Sequence, residues 1–219
     1  MTAFVDLQDC KQGGYSLILA DPPWHFKSYS GAGGTPTEKK RGEVVGKNFR
    51  SAEKDHYLTT KTIELSALPV ARLAAKDSLL AMWVVGSHIE EAIDLGRFLG
   101  FHYVTDLFWW LKQKMVNADQ ICLFSRDIPP PAISMGYHSR KQGEMVLLFK
   151  RGKGLKVLRH DVRQIIIAPP REHSRKPDAV FDRIEALCGD VPRSEMFARE
   201  PRAGWDCWGD ETDKFGKAA

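Results

Sequence analysis

The sequence predicts an α/β domain built on a largely parallel sheet with both faces covered. Two observations predict it. Short apolar runs recur along the chain with helix-patterned segments between them. These runs are also close to continuously apolar rather than alternating, as expected of strands buried on both faces. The 219 residues suit one domain, 1–219. A content of 43% hydrophobic and 27% charged residues is that of a globular chain, and no run of about eighteen apolar residues suggests a membrane span. The start, MTAFVDLQDCKQGG, lacks the basic and apolar blocks of a secretory signal. Cys10, Cys122, Cys188 and Cys207 show neither paired nor zinc spacing, so reduced thiols, no metal site and a cytoplasmic location are expected.

In order, Tyr15–Ala20 reads as a buried strand that stops at Asp21-Pro22-Pro23-Trp24, because two prolines block both ladder pairing and helix entry. Residues 28–54, rich in Gly, Ser, Thr and charge, read as a long mobile loop. A helix over Thr60–Ala75, broken at Pro69, precedes a strand at Leu79–Val85. Ser87 and Glu90 have the spacing of a capping box for a helix at His88–Leu99, with Gly100 as its stop. Phe101–Leu111 is an aromatic strand, and 113–134 a second mobile loop around three prolines. Strands at Met145–Lys150 and Gln164–Ala168 follow, then a helix opened by Pro177 and ending near Cys188, and a strand at Ser194–Ala198.

In an open parallel sheet, ligands bind beyond the carboxyl ends of strands, where Asp21-Pro22-Pro23-Trp24 sits. An ionised Asp21 only accepts hydrogen bonds, and the Asp-Pro and Pro-Pro carbonyls stay free as acceptors on a stiff frame. With the flat ring of Trp24 beside them, this set suits an aromatic primary amine. The same four residues also suit a strand-end turn over a core tryptophan. Arg171–Asp178 joins a basic cluster to a helix start, either an anion site or a helix cap. Met196–Arg199 and Gly204–Glu211 place charge and tryptophan after the final strand.

Charge is sorted along the chain. Residues 150–176 carry nine Lys/Arg against two acids, and 27–54 seven against three, so a net +4 conceals two strongly basic segments. Such sorting suits the binding of a polyanion and equally suits two solvated basic loops; with nucleic acid as the partner, Lys39, Lys40 and Arg41 in the first segment and Lys150–Arg163 in the second are expected to carry the grip.

Taken together, DPPW, the HS-x-KPD helix start and F-x-R followed by GW-x-x-W-G-D-E resemble the adenine-N6 methyltransferases related to the catalytic subunit of the eukaryotic messenger-RNA adenosine methyltransferase. The resemblance covers residues 15–211 and extends to the single-domain bacterial and phage members. It implies a Rossmann-like fold in a permuted order, catalytic motif before cofactor motifs, with S-adenosylmethionine as donor and the 6-amino group of adenine as acceptor. It places the target adenine at Asp21, Pro22, Pro23 and Trp24. The cofactor falls to Asp21, Lys176, Arg199, Asp210 and Glu211, with Arg202 standing where relatives carry His or Asn. Tyr57, Trp110 and Glu144 match positions lining the substrate pocket. DNA is favoured over RNA, and a homodimer or a heteromeric partner is compatible. The other readings are a non-catalytic nucleic-acid-binding subunit, which retention of Asp21, Trp24, Lys176 and Asp210 disfavours, and methylation of an amide or small molecule, which the basic segments disfavour.

Overall fold

The computed structural model describes residues 3–4, 12–24, 62–113, 132, 138–212 and 214–215. Within them eight strands form one sheet: β1 (Ala3–Phe4), β2 (Tyr15–Ala20), β3 (Ala74–Val84), β4 (His102–Lys112), β5 (Gly143–Arg151), β6 (Ile165–Ala168), β7 (Arg193–Met196) and β8 (Asp206–Trp208). The helices are α1 (Thr62–Ser66), α2 (Val70–Leu73), α3 (Ile89–Phe98) and α4 (Ala179–Cys188). Strand order is β1-β8-β7-β2-β3-β5-β4-β6. Every pairing is parallel except the two made by β5, which runs backwards between β3 and β4.

The near-continuous apolar character of β2 has the predicted cause, since its residues feed both faces. Ile18 and Ala20 join a cluster with Met82, Leu95, Phe101 and Phe149 on the α3 side. Leu17 and Leu19 join Trp83, Phe108, Phe181 and Trp205 on the α4 side. Helix α3 seats on β5 through Gly96, where a Cβ would stand 2.3 Å from the Phe149 ring. Its end is a Schellman motif: the Gly100 N–H donates to Arg97 O, the Phe101 N–H to Gly96 O, and Gly100 takes φ +86°.

Four expectations shift. The capping box does not form. Gly86–His88 make a 3₁₀ turn, His88 is the N-cap without a side-chain cap bond, and the Ser87 Oγ lies 3.0 Å from His88 Nδ1. The break at Pro69 holds, but strand pairing begins at Ala74, five residues before the apolar run at Leu79. Helix α4 starts at Ala179, with Pro177 in the preceding turn. The tail after β7 contains a further strand, β8, that the sequence pattern does not predict.

Of the two expected loops, 28–54 and, within 113–134, residues 114–131 and 133–134 lie outside the described residues. Among the described residues no helix is long and apolar enough to cross a membrane. Cys188 and Cys207 are buried free thiols, and burial raises them to about 11 and about 12.

Candidate active site

Parallel strands deliver their following loops to one edge of the sheet, and the reversed β5 delivers its first residues to that same edge. Asp21 follows β2, Phe197–Arg199 follow β7, Asp210 and Glu211 follow β8, and Glu172–Lys176 follow β6. Lys112 ends β4 and Glu144 begins β5, with Trp110 opposite Glu144 in register.

The Asp21 N–H donates to Met196 O at 3.3 Å, tying the loop to β7. The Trp24 N–H then folds back onto Pro22 O at 2.8 Å. The Pro22 carbonyl is therefore not wholly free, as the proline pair suggested: the first N–H beyond the prolines reaches it and occupies one lone pair. Trp24 is buried, donates from Nε1 to Trp83 O at 3.0 Å and stands 5.9 Å from the His88 ring. It anchors the loop in the core.

Beside Asp21 lies a cleft of about 250 Å³ lined by Asp21, Pro23, Phe197, Ala198, Arg199, Asp210 and Glu211. Two backbone features shape it. Phe197 holds φ +63°, a conformation that costs a bulky residue energy and clusters at functional sites, while its ring meets Trp208 edge-on at 5.3 Å. At Gly209 a Cβ would lie 2.5 Å from Ala198 O, so only glycine lets the two loops approach. That approach sets Arg199 Nε 3.6 Å from Glu211 Oε2, and Lys214 holds Glu211 Oε1 at 2.6 Å.

A chain of alternating charge runs from this cleft across the sheet edge. Lys176 Nζ donates to Asp21 Oδ2 at 2.7 Å and lies 3.3 Å from Glu144 Oε2, while Glu144 Oε1 accepts a short hydrogen bond from Lys112 Nζ. All four side chains are at least four-fifths buried. Burial opposes ionisation at Glu144, but the two ammonium groups outweigh it and hold its carboxyl below the usual range. Burial likewise opposes the Lys176 charge, and Asp21 with Glu144 outweighs it, so this ammonium is held more tightly than usual.

Other expected site residues lie elsewhere. Trp110 is buried in the core, donating from Nε1 to Ala168 O at 2.9 Å. Arg202 does not line the cleft: it pairs with Asp178 at 2.7 Å and stacks on Phe181 at 3.6 Å. Lys39, Lys40, Arg41 and Tyr57 lie outside the described residues. The second basic segment begins at the edge of the sheet opposite Asp21. Because β5 is antiparallel, Arg151 pairs with Ser78 near the amino-terminal ends of the parallel strands, and the Lys153 N–H bonds Asp77 there. Three contributors have no role that the sequence alone assigns: Lys112, Phe197 and Glu195. Glu195 pairs with Leu19 and Cys207, and its Oε2 is sealed from solvent with no partner among the described residues. The W-G pair at 208–209 is the one sequence signal pointing to a close approach.

The MT-A70 family model matches residues 15–211. The chain is 33% identical over 204 residues to the type II methyltransferase M.MunI of a Mycoplasma species, covering 89% of this chain and 76% of that one. It is 30% identical over 209 residues to the N6-methyladenosine RNA methyltransferase MTA1 of Cryphonectria parasitica, covering 92% and 52%. It is 25% identical over 202 residues to the human N(6)-adenine-specific methyltransferase METTL4, covering 92% and 38%, so it spans about half or less of these last two relatives. A parallel sheet with one reversed strand, an acceptor loop at the end of β2 and a family match over nearly the whole described core lead to one conclusion: the chain belongs to the MT-A70 family of methyltransferases and carries its Rossmann-like fold.

Proposed function

We propose that this chain transfers a methyl group from S-adenosylmethionine to the 6-amino group of adenine in nucleic acid, with DNA the favoured polymer. The observation that carries the reading is the placement of Asp21: a largely buried carboxylate at the carboxyl end of β2, one oxygen holding Lys176, at the lip of the cleft lined by Arg199, Asp210 and Glu211. The donor set fits S-adenosylmethionine. Carboxylates at Asp210 and Glu211 suit ribose hydroxyls, Asp21 suits the amino-acid ammonium, and Phe197 offers an apolar wall. When bound, the cofactor supplies an electrophilic methyl group. The order of delivery, acceptor loop after β2 and cofactor residues after β7 and β8, supports the permuted reading.

The protein's own part is alignment. An adenine amine is a poor nucleophile because its lone pair is delocalised into the ring. Asp21, with acceptor capacity beyond its bond to Lys176, takes one N–H, and the remaining lone pair of the Pro22 carbonyl takes the other. Both bonds favour a pyramidal nitrogen, held in line with the methyl group. The product proton passes to water. Trp24, pinned through Nε1 to Trp83 O, fixes the loop that carries both acceptors.

The choice of DNA is made by contrast with the relative whose name states RNA: the chain spans 52% of that protein, against 76% of the one named a type II methyltransferase. The test is methyl transfer from labelled S-adenosylmethionine to matched DNA and RNA oligonucleotides, read as 6-methyladenine. Asp21→Ala is expected to lower kcat by about a hundredfold or more while retaining a folded protein, the size typical of losing one preorganised polar contact in a transition state. Transfer to neither polymer by the unaltered protein would overturn the reading, and preferential transfer to RNA would overturn the choice of DNA.

A further inference from the structure

The chain of charges at the sheet edge contains one more lysine than the proposed chemistry uses. Lys176 has two carboxylates within reach, Asp21 Oδ2 at 2.7 Å and Glu144 Oε2 at 3.3 Å, and it sits closer to Asp21. Glu144 has two oxygens, and Lys112 takes Oε1 by a short hydrogen bond. Lys112 is itself fixed: its strand pairs with β5 and β6, its backbone N–H donates to Gln142 O at 2.9 Å, and its ammonium stands 4.7 Å from the Trp110 ring centroid. Trp110 is anchored in turn to Ala168. The position of the Lys112 charge is therefore set by β4 and not by the cleft.

We propose that Lys112 is a positioning residue for the transfer: by satisfying Glu144 it leaves Lys176 bound to Asp21, and so holds the Asp21 carboxylate in the orientation that receives the adenine amine. The proposal rests on the reading of Asp21 as the amine acceptor. With Lys112 absent, Glu144 is a buried carboxylate with a single ammonium in reach among the described residues, and the cheapest way to compensate it is to draw Lys176 off Asp21. The loss then appears at Asp21, without Lys112 ever touching substrate. Glu144 also loses one of the two cations that hold its carboxyl down, so its protonation moves to higher pH.

The test uses the full chain and three variants, Lys112→Met, Glu144→Gln and the double variant, with Lys112→Arg as the charge-preserving control. Lys112→Met is expected to lower kcat about tenfold at neutral pH with KM for the oligonucleotide changed less than about twofold, and the deficit is expected to narrow as pH falls and Glu144 takes its proton, as in Glu144→Gln. Lys112→Arg restores most of the rate. In the Glu144→Gln background, Lys112→Met is expected to change kcat less than about twofold, because the residue it acts through is gone. An equal tenfold loss in both backgrounds, or a rate unmoved by Lys112→Met, overturns the proposal. If Lys112→Met does not fold, Lys112→Gln in the Glu144→Gln background, where no buried charge is stranded, gives the same comparison. A crystal structure of Lys112→Met reads the proposal without activity: Lys176 Nζ is expected to move toward Glu144 and out of hydrogen-bond reach of Asp21, and an unchanged Lys176–Asp21 bond overturns it. An unaltered protein that methylates no adenine polymer would fell the proposed function, while the position of Lys176 in that crystal would still decide this inference.

Discussion

A carboxyl on a central strand between two apolar neighbours pays for its place in proton affinity, and Glu195 is that group. Burial, with Asp21 and Glu200 adding repulsion, outweighs the attraction of Arg202 and Lys176 and raises its carboxyl from an ordinary 4.5 to about 8. Below about pH 4.5 both folded and unfolded chains hold the proton. Between 4.5 and 8 the unfolded chain releases it while the folded one keeps it, so the folded state binds more protons and stability falls as pH rises through that window. Glu195→Gln imitates the protonated acid. Its advantage over the unaltered protein should be small at pH 4.5 and grow to about 2–4 kcal/mol by pH 8, read by denaturant titration at each pH. A difference that does not change with pH would show that the carboxyl is ionised in the fold.

At the scale of elements, the contact between α3 and β5 sets helix propensity against packing. Glycine in a helix costs about 1 kcal/mol relative to alanine, so propensity alone makes Gly96→Ala stabilising. The added Cβ, however, would stand 2.3 Å from the Phe149 ring, which is itself fully buried. Overpacking of this kind costs about 1–3 kcal/mol, so a net loss of stability is expected, and pairing Gly96→Ala with Phe149→Leu should recover part of it in thermal melts. A stabilised Gly96→Ala would show that the ring moves aside at no cost. The same scale shows what the sequence discloses. The strand at Tyr15–Ala20 is legible to the residue, because a doubly buried strand is apolar throughout. Strand β8 is not, because three residues between Gly204 and Gly209 carry no period. The direction of β5 has no sequence signal at all, since parallel and antiparallel central strands bury the same side chains. The capping box fails by one residue of register: with His88 as N-cap, Ser87 is already outside the helix. In the site, Asp21, Lys176 and Glu144 can each be singled out by motif, but their joining by Lys112 depends on β4 and β5 being antiparallel neighbours, which no spacing encodes.

For the whole molecule, the reversed strand carries the start of the second basic segment to the edge of the sheet opposite Asp21. Lys150 lies near the end of β5, Lys153 and Lys156 follow it at the amino-terminal ends of the parallel strands, and the Leu158 N–H bonds Leu187 O at the far end of α4. Asp21 and Glu144 lie at the other edge. The distance along β3 from Ser78 to Val84 is about 20 Å at 3.3 Å per residue, roughly six base pairs of duplex. An adenine oligonucleotide of about three nucleotides seated at Asp21 therefore does not reach these lysines, whereas a duplex of twenty base pairs can. Replacing Lys150, Lys153 and Lys156 with Gln should leave binding of the short oligonucleotide within about twofold. For the long duplex it should lower the slope of log affinity against log salt by up to about 3, near 0.9 for each phosphate no longer neutralised. Neutralising Lys39, Lys40 and Arg41, the expected grip in the first basic segment, should weaken substrate binding, flatten its salt slope and leave cofactor affinity intact. Equal weakening of the short oligonucleotide by the two sets would mean that the nucleic acid enters along the sheet from its amino-terminal edge, and that the charge at Lys150–Lys156 guides the strand toward Asp21 rather than holding its distal flank.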